Sequence, residues 1–136
     1  MKDAVVRELA AALDSTDVRE VRARHAAEIV RAARGYRWVG IYEVDDDRIT
    51  ILGHTGPDAP AFPTFDATQG LTGEVVRTRT TTFGSTGSEL IVPILGAESG
   101  MVIGTLDVES ATTDAFGSDD AAFLEACATA LMPLYE

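Results

Sequence analysis

Apolar residues recur at helical spacing near both ends of the chain and at every second position through its middle. Val6, Leu9 and Leu13 share one face of a helix over about residues 2–14, and Asp14-Ser15-Thr16 breaks it. A second helix, about residues 17–34, has Val18, Val21, His25, Ile29 and Ala32 or Ala33 as its stripe. Asp17 is placed to cap it, with Glu20 reaching back to complete a capping box. Gly35 stands where a left-handed C-terminal cap belongs.

From Trp38 the period changes to two. Trp38–Val44 reads as a strand, Asp45-Asp46-Asp47 as a turn, and Arg48–Gly53 as the returning strand of a hairpin. The following loop carries Pro57, Pro60 and Pro63, which exclude a central strand. Gly70–Arg77 predicts a short helix and Thr80–Phe83 a brief strand. Glu89–Leu95 and Met101–Val108 predict an antiparallel pair around a glycine-containing loop, and Pro93 implies a bend or a sheet edge. A last helix starts at Ser118 as cap, with Asp119 and Asp120 at its positive end. Phe123, Leu124, Cys127, Leu131 and Leu134 form its stripe, and Pro133 ends or kinks it.

Helices therefore lie at the ends of the chain and strands in the middle. That order predicts one α+β domain over residues 1–136. It comprises N-terminal helices (1–34), sheet and pocket loops (35–116) and a C-terminal helix (117–136). The helices should cover one face of a central antiparallel sheet, leaving the other face for loops and a pocket.

Alternation along the strands places side chains on those faces. Trp38, Gly40, Tyr42 and Val44 point one way. In the last strand Val102, Gly104, Leu106 and Val108 are apolar throughout and should meet the helices, while Thr105, Asp107 and Glu109 point oppositely. Glu89, at the start of the neighbouring antiparallel strand, should lie beside Asp107 or Glu109. Three carboxylates gathered at one rim raise one another's pKa and repel unless a cation is present. Parity alone leaves two readings open: a site for an ammonium, guanidinium or metal ion, or a solvated strand end in an acidic protein.

Composition narrows the partners. Asp and Glu number 22 against 11 Lys and Arg, a formal net charge of −11. A field of that sign repels phosphate backbones and anionic membrane surfaces. The arginines at 19, 22, 24, 31, 34 and 37 spread around a helix and make no basic stripe. The acidic, lysine-poor composition suits a high-salt cytoplasm. No signal peptide or membrane span is visible, and neither nucleic acid nor membrane is expected as a partner. The single cysteine, Cys127, forms no intrachain disulfide and reads as core packing. His25 and His54 have no ligand partner at zinc spacing and read as structural; no metal or cofactor is expected.

Three segments carry a family resemblance. Trp38-Val39-Gly40-Ile41-Tyr42 resembles a W-x-G-[FI]-Y strand. Ser88-Glu89-Leu90-Ile91-Val92-Pro93 resembles S-E-[IL]-x-V-P, and Ile103–Ser110 resembles I-G-x-[LI]-D-[IV]-[DE]-S. All three are similar to GAF domains, and among them to the free methionine-R-sulfoxide reductases. Phe116 followed by Asp119-Asp120 resembles the entry to the last GAF helix. The likeness runs from about residue 20 to the C-terminus.

That resemblance implies thiol chemistry, in which one cysteine attacks the sulfoxide sulfur and another resolves the product. Here Thr72 and Phe62 stand where two of those cysteines would be, and the shortened segment at about 80–87 contains none. A threonine hydroxyl is a far weaker nucleophile and forms no disulfide. What the resemblance leaves is a binding side. It implies an aromatic wall of Trp38 and Tyr42, with Glu89, Asp107 and Glu109 holding an amino acid's ammonium. The expectation is a cytoplasmic, homodimeric binding or sensing module for a small amino-acid-like cation, with no catalytic residue. A sulfoxide-reductase-like oxidoreductase and a dimerising interaction module are the alternatives.

Overall fold

The computed structural model describes residues 2–136. Helices α1 (Lys2–Leu13) and α2 (Arg19–Arg34) precede the hairpin β1 (Trp38–Val44) and β2 (Arg48–Thr55). Then come β3 (Thr64–Asp66), α3 (Gly70–Thr78), β4 (Thr82–Phe83), β5 (Glu89–Leu95) and β6 (Val102–Glu109). Helix α4 (Ser118–Ala130) and a 3-10 turn, Met132–Tyr135, end the chain. The six strands form one antiparallel sheet in the order β3-β2-β1-β6-β5-β4.

The parity of β6 organises the layers. Leu106 and Val108 are buried in the main core, together with Val39 and Ile41 of β1 and Leu90, Val92 and Ile94 of β5. Val102, expected beside them, is buried outside that cluster: the β5–β6 register shifts between Ile94 and Leu95, and Ile103 packs against the core instead. Helices α2 and α4 close that core, and α1 packs on both, contributing Leu9 and Leu13. The stripe expected of α4 is buried in full: Phe123, Leu124, Cys127, Leu131 and Leu134. A smaller cluster of Trp38, Tyr42, Ile49 and Ala67 lies apart from this core. The Tyr135 hydroxyl ties the chain end to β1 by donating to the Tyr42 carbonyl at 2.6 Å.

Several expectations need correction. The buried face of α2 is Ala23, Ala26, Ala27 and Val30; of the expected stripe, Ile29 and Ala33 pack partly buried against that core, while Val18 and His25 do not. Val18 is 66% exposed and His25 is exposed. The reason is closeness: a methyl on Gly53 would lie 2.6 Å from the Arg24 backbone nitrogen, so β2 accepts only small residues from α2. Asp17 does not cap α2, whose N-cap is Val18 with no side-chain cap. The Asp17 N–H instead donates to Ser15 Oγ at 2.9 Å in a local turn. Gly35 does adopt the left-handed C-cap, at φ 66°. At α4 the N-cap is Gly117, and Ser118 is the first helical residue. Asp120 supplies the capping contact, accepting from the Gly117 N–H at 3.2 Å.

The loop after β2 contains a strand that its prolines concealed. Beyond Pro63, β3 pairs with β2 at the sheet edge, Arg48 opposite Asp66. Pro93 sits as an edge proline should. The Gly84 N–H donates to the Glu89 carbonyl, so alternation turns the Pro93 backbone outward, past the end of two-residue β4.

Gly53→Ala forces β2 and α2 apart against close backbone contacts. A loss of about 1–3 kcal/mol is expected from overpacking of this kind, read from the urea midpoint. An unchanged midpoint would contradict the tight helix–sheet seam.

Candidate functional site

Strands β1, β6 and β5 lie side by side, and their register aligns the expected residues in rows. Trp38 pairs with Glu109, which pairs with Glu89. One row along, Gly40 pairs with Asp107, which pairs with Ile91. In the next row Tyr42 pairs with Thr105. All five expected site residues, Trp38, Tyr42, Glu89, Asp107 and Glu109, line one cavity of about 330 Å³. This lies at the small end of the roughly 300–1,000 Å³ range of ligand pockets.

Gly40 is what lets the aromatic wall form. A Cβ there would lie 2.3 Å from the Trp38 ring and 3.2 Å from the Tyr42 ring, so both rings close over this glycine. The Trp38 indole N–H donates to the Asp58 carbonyl at 2.9 Å, pinning the proline loop over the site. Its other neighbour is the His54 ring, stacked at 6.0 Å between centroids. Tyr42 meets Phe65 of β3 edge-on at 5.9 Å.

Helix α3 contributes Thr72, which is buried and donates its hydroxyl to Asp107 Oδ2 at 3.3 Å. Asp107 Oδ1 is buried with no partner. Burial pushes the Asp107 carboxyl up to about 7; Glu89 and Glu109 push the same way, against the Thr105 and Thr72 hydroxyls. Glu89 is raised too, by burial and then by Glu109. Burial, followed by the three carboxylates, holds the Tyr42 hydroxyl above its ordinary range. Four ion pairs occur among the described residues: Arg19–Glu43, Arg34–Asp120, Arg37–Asp58 and Arg48–Asp66. None involves Glu89, Asp107 or Glu109.

Some of the site escaped the sequence reading. The sequence shows Thr72 only as a threonine where the resemblance puts a cysteine, and its contact with Asp107 depends on how α3 docks. Arg37 and Asp58, paired at 3.1 Å and both exposed, also line the cavity. Phe62 and Phe65 join them from the proline loop and β3. A proline-punctuated loop directly after the hairpin whose first strand bears W-x-G was the available signal.

The remaining chemistry lies elsewhere. Cys127 is fully buried in the helix-side core, and burial pushes its thiol up to about 12. Among the described residues, no three His, Cys, Asp or Glu side chains converge closely enough to hold a metal ion. No helix among the described residues is long and apolar enough to cross a membrane. A larger cavity, about 560 Å³, opens at the outer edge of β5 beside α4. Its floor includes Pro93, Ile94, Ala128 and Met132, and it contains none of the perturbed carboxylates, so the smaller cavity holds the chemistry.

The GAF domain family model matches residues 18–132. No curated protein matches the chain. Among solved structures, the chain is similar to the free methionine-R-sulfoxide reductase of Neisseria meningitidis in complex with its substrate. The TM-score is 0.82 at 22% identity, covering 98% of this chain and 87% of that one. It is also similar to the GAF domain of an Acinetobacter phosphoenolpyruvate-protein phosphotransferase, with TM-score 0.82, 16% identity and coverage of 96% and 90%. The fRMsr of Staphylococcus aureus in complex with substrate gives 0.81 at 19% identity, covering 99% and 95%.

A pH dependence follows from Asp107. Its ordinary value is 3.8 and its value in the fold about 7. Between the two, the unfolded chain has released a proton that the folded chain keeps. The carboxyl therefore lowers stability as pH rises through that window, and by a constant amount above it. Asp107→Asn removes this cost, so its stability relative to the parent should climb from about pH 4 to about pH 7 and then level off. Urea melts across that range measure it; a difference independent of pH would contradict the burial of this carboxyl.

Proposed function

The chain belongs to the GAF domain family, and on that premise we propose that it is a sensing module for a small organic cation of amino-acid size. The observation that carries this reading is the set of carboxylates Glu89, Asp107 and Glu109. They sit around an aromatic-walled cavity with no basic side chain in ion-pair contact. Like charges gathered there repel, and partial burial weakens the screening by water. A ligand cation relieves that repulsion by an amount that grows with how deeply it enters.

Arg37 suits the other end of such a ligand. It lies at the cavity with only the exposed Asp58 as partner, and a ligand carboxylate would exchange for that pairing at little cost. A free amino acid fits both ends. The Neisseria protein is a free methionine-R-sulfoxide reductase seen with its substrate, and a ligand of that kind also suits this pocket. Thr72 stands in the site without a thiol, which favours binding over sulfoxide reduction. In this reading the module is cytoplasmic and homodimeric.

Calorimetry and thermal melts with free amino acids test the reading. A ligand at about a hundredfold its Kd stabilises the fold by about 2.7 kcal/mol. A cationic ligand should bind more tightly as pH rises through about 7, because it favours charged Asp107. Glu89→Gln with Glu109→Gln should abolish binding. No stabilisation by any amino acid would reject the proposal, and turnover of methionine-R-sulfoxide with dithiothreitol would replace it with an enzyme. Light scattering tests the dimer: the mass of two chains supports it and that of one chain removes it.

A further inference from the structure

We infer that the cationic group this pocket takes is a planar guanidinium, so that the preferred ligand is arginine-like. This rests on the cation-binding reading above and specifies its chemistry.

The first ground is the spread of the carboxylates. Glu89 and Glu109 are direct cross-strand partners, whose Cβ atoms stand about 5 Å apart. Asp107 is two residues along the same strand as Glu109, about 6.5–7 Å away. An ammonium nitrogen must sit within about 3 Å of every acceptor it serves, so its acceptors have to gather around one point. The cross-strand and along-strand spacing instead roots the three carboxylates at separate points of the cavity wall. A guanidinium distributes five N–H donors around a flat frame and reaches separate carboxylates along different edges.

The second ground is Asp107 itself. It is only 6% exposed, lines the cavity, and has one oxygen satisfied by Thr72 while Oδ1 has no partner. A buried acceptor left this way is costly until a donor reaches it. Thr72 donates to Oδ2, which leaves Oδ1 as the oxygen open to a ligand donor. A fork of donors spanning Asp107 Oδ1 and a neighbouring glutamate matches that arrangement. The third ground is the wall: Trp38, Tyr42 and Phe65 line the cavity beside these carboxylates. Guanidinium is flat and weakly hydrated and packs against aromatic rings, whereas a strongly hydrated ammonium loses more on leaving water.

The test is calorimetric titration of the intact chain with L-arginine, L-lysine, L-citrulline and L-methionine at low salt and a pH above 7. Arginine is expected to bind at least about tenfold tighter than lysine, and citrulline, its neutral counterpart, at least as weakly as lysine. Glu89→Gln, checked for folding by circular dichroism, should shrink the arginine-over-lysine preference, because it removes one arm of the fork. Equal binding of all four would mean that the shared α-ammonium fills the site. That would overturn the guanidinium assignment and leave the amino-acid reading standing. Lysine binding as tightly as arginine would likewise overturn it. Binding by none would overturn both.

Discussion

A single strand carries two incompatible surfaces, and the rest of the molecule is arranged around that fact. On one side of β6, Leu106 and Val108 seal the helix-covered core. On the other, Asp107 sits beneath aromatic rings with one hydrogen bond and one unpartnered oxygen. Removing a carboxyl from water without full compensation costs free energy, and the apolar face of the same strand offsets that cost. Because side chains alternate, neither surface can shift without the other: a one-residue slip of β6 would send Asp107 into the helix core. The register that secures the core therefore also holds the carboxylates in their rows.

The sheet was legible in the sequence because its alternation is strong and its two faces differ sharply. Placing Glu89 beside Asp107 or Glu109 needed only parity and an antiparallel hairpin; bringing Trp38 and Tyr42 to the same side rested on the family resemblance, and the register then paired Glu89 with Glu109. The helices were less legible where packing overrode hydrophobicity. In α2 the chain buries alanines in place of larger residues because Gly53 admits the helix backbone at contact distance. No hydrophobic stripe announces that choice. The caps failed for a related reason. Ser15 accepts from the Asp17 N–H that Glu20 would have bonded in a capping box, and Asp120 caps α4 from inside the helix. Strand β3 lay hidden because it is three residues long and follows a proline-rich loop. Thr72 and Arg37 reach the site through the docking of a helix and a loop, which strand parity does not describe.

The family and the site answer different questions. A GAF sheet of this shape is shared with proteins only 16–22% identical to the chain, and likeness at that level shows the fold alone; function has to be argued from the side chains in the cavity. In this chain the position that resembles a reductase cysteine is a threonine whose hydroxyl binds Asp107. The one thiol lies across the sheet in the helix-side core. Charge consequently distinguishes the site: a cluster of carboxylates, one of them buried, has no ion-pair partner among the described residues.

The most direct measurement follows the Asp107 carboxyl by carbon-detected NMR through a pH titration, with and without L-arginine. Without ligand it should titrate near 7. With saturating ligand the midpoint should fall toward the ordinary carboxylate range, because a bound cation favours the charged form. A free-state midpoint near 4, or one that the ligand leaves unmoved, would contradict the claim that this carboxyl waits for a positive group.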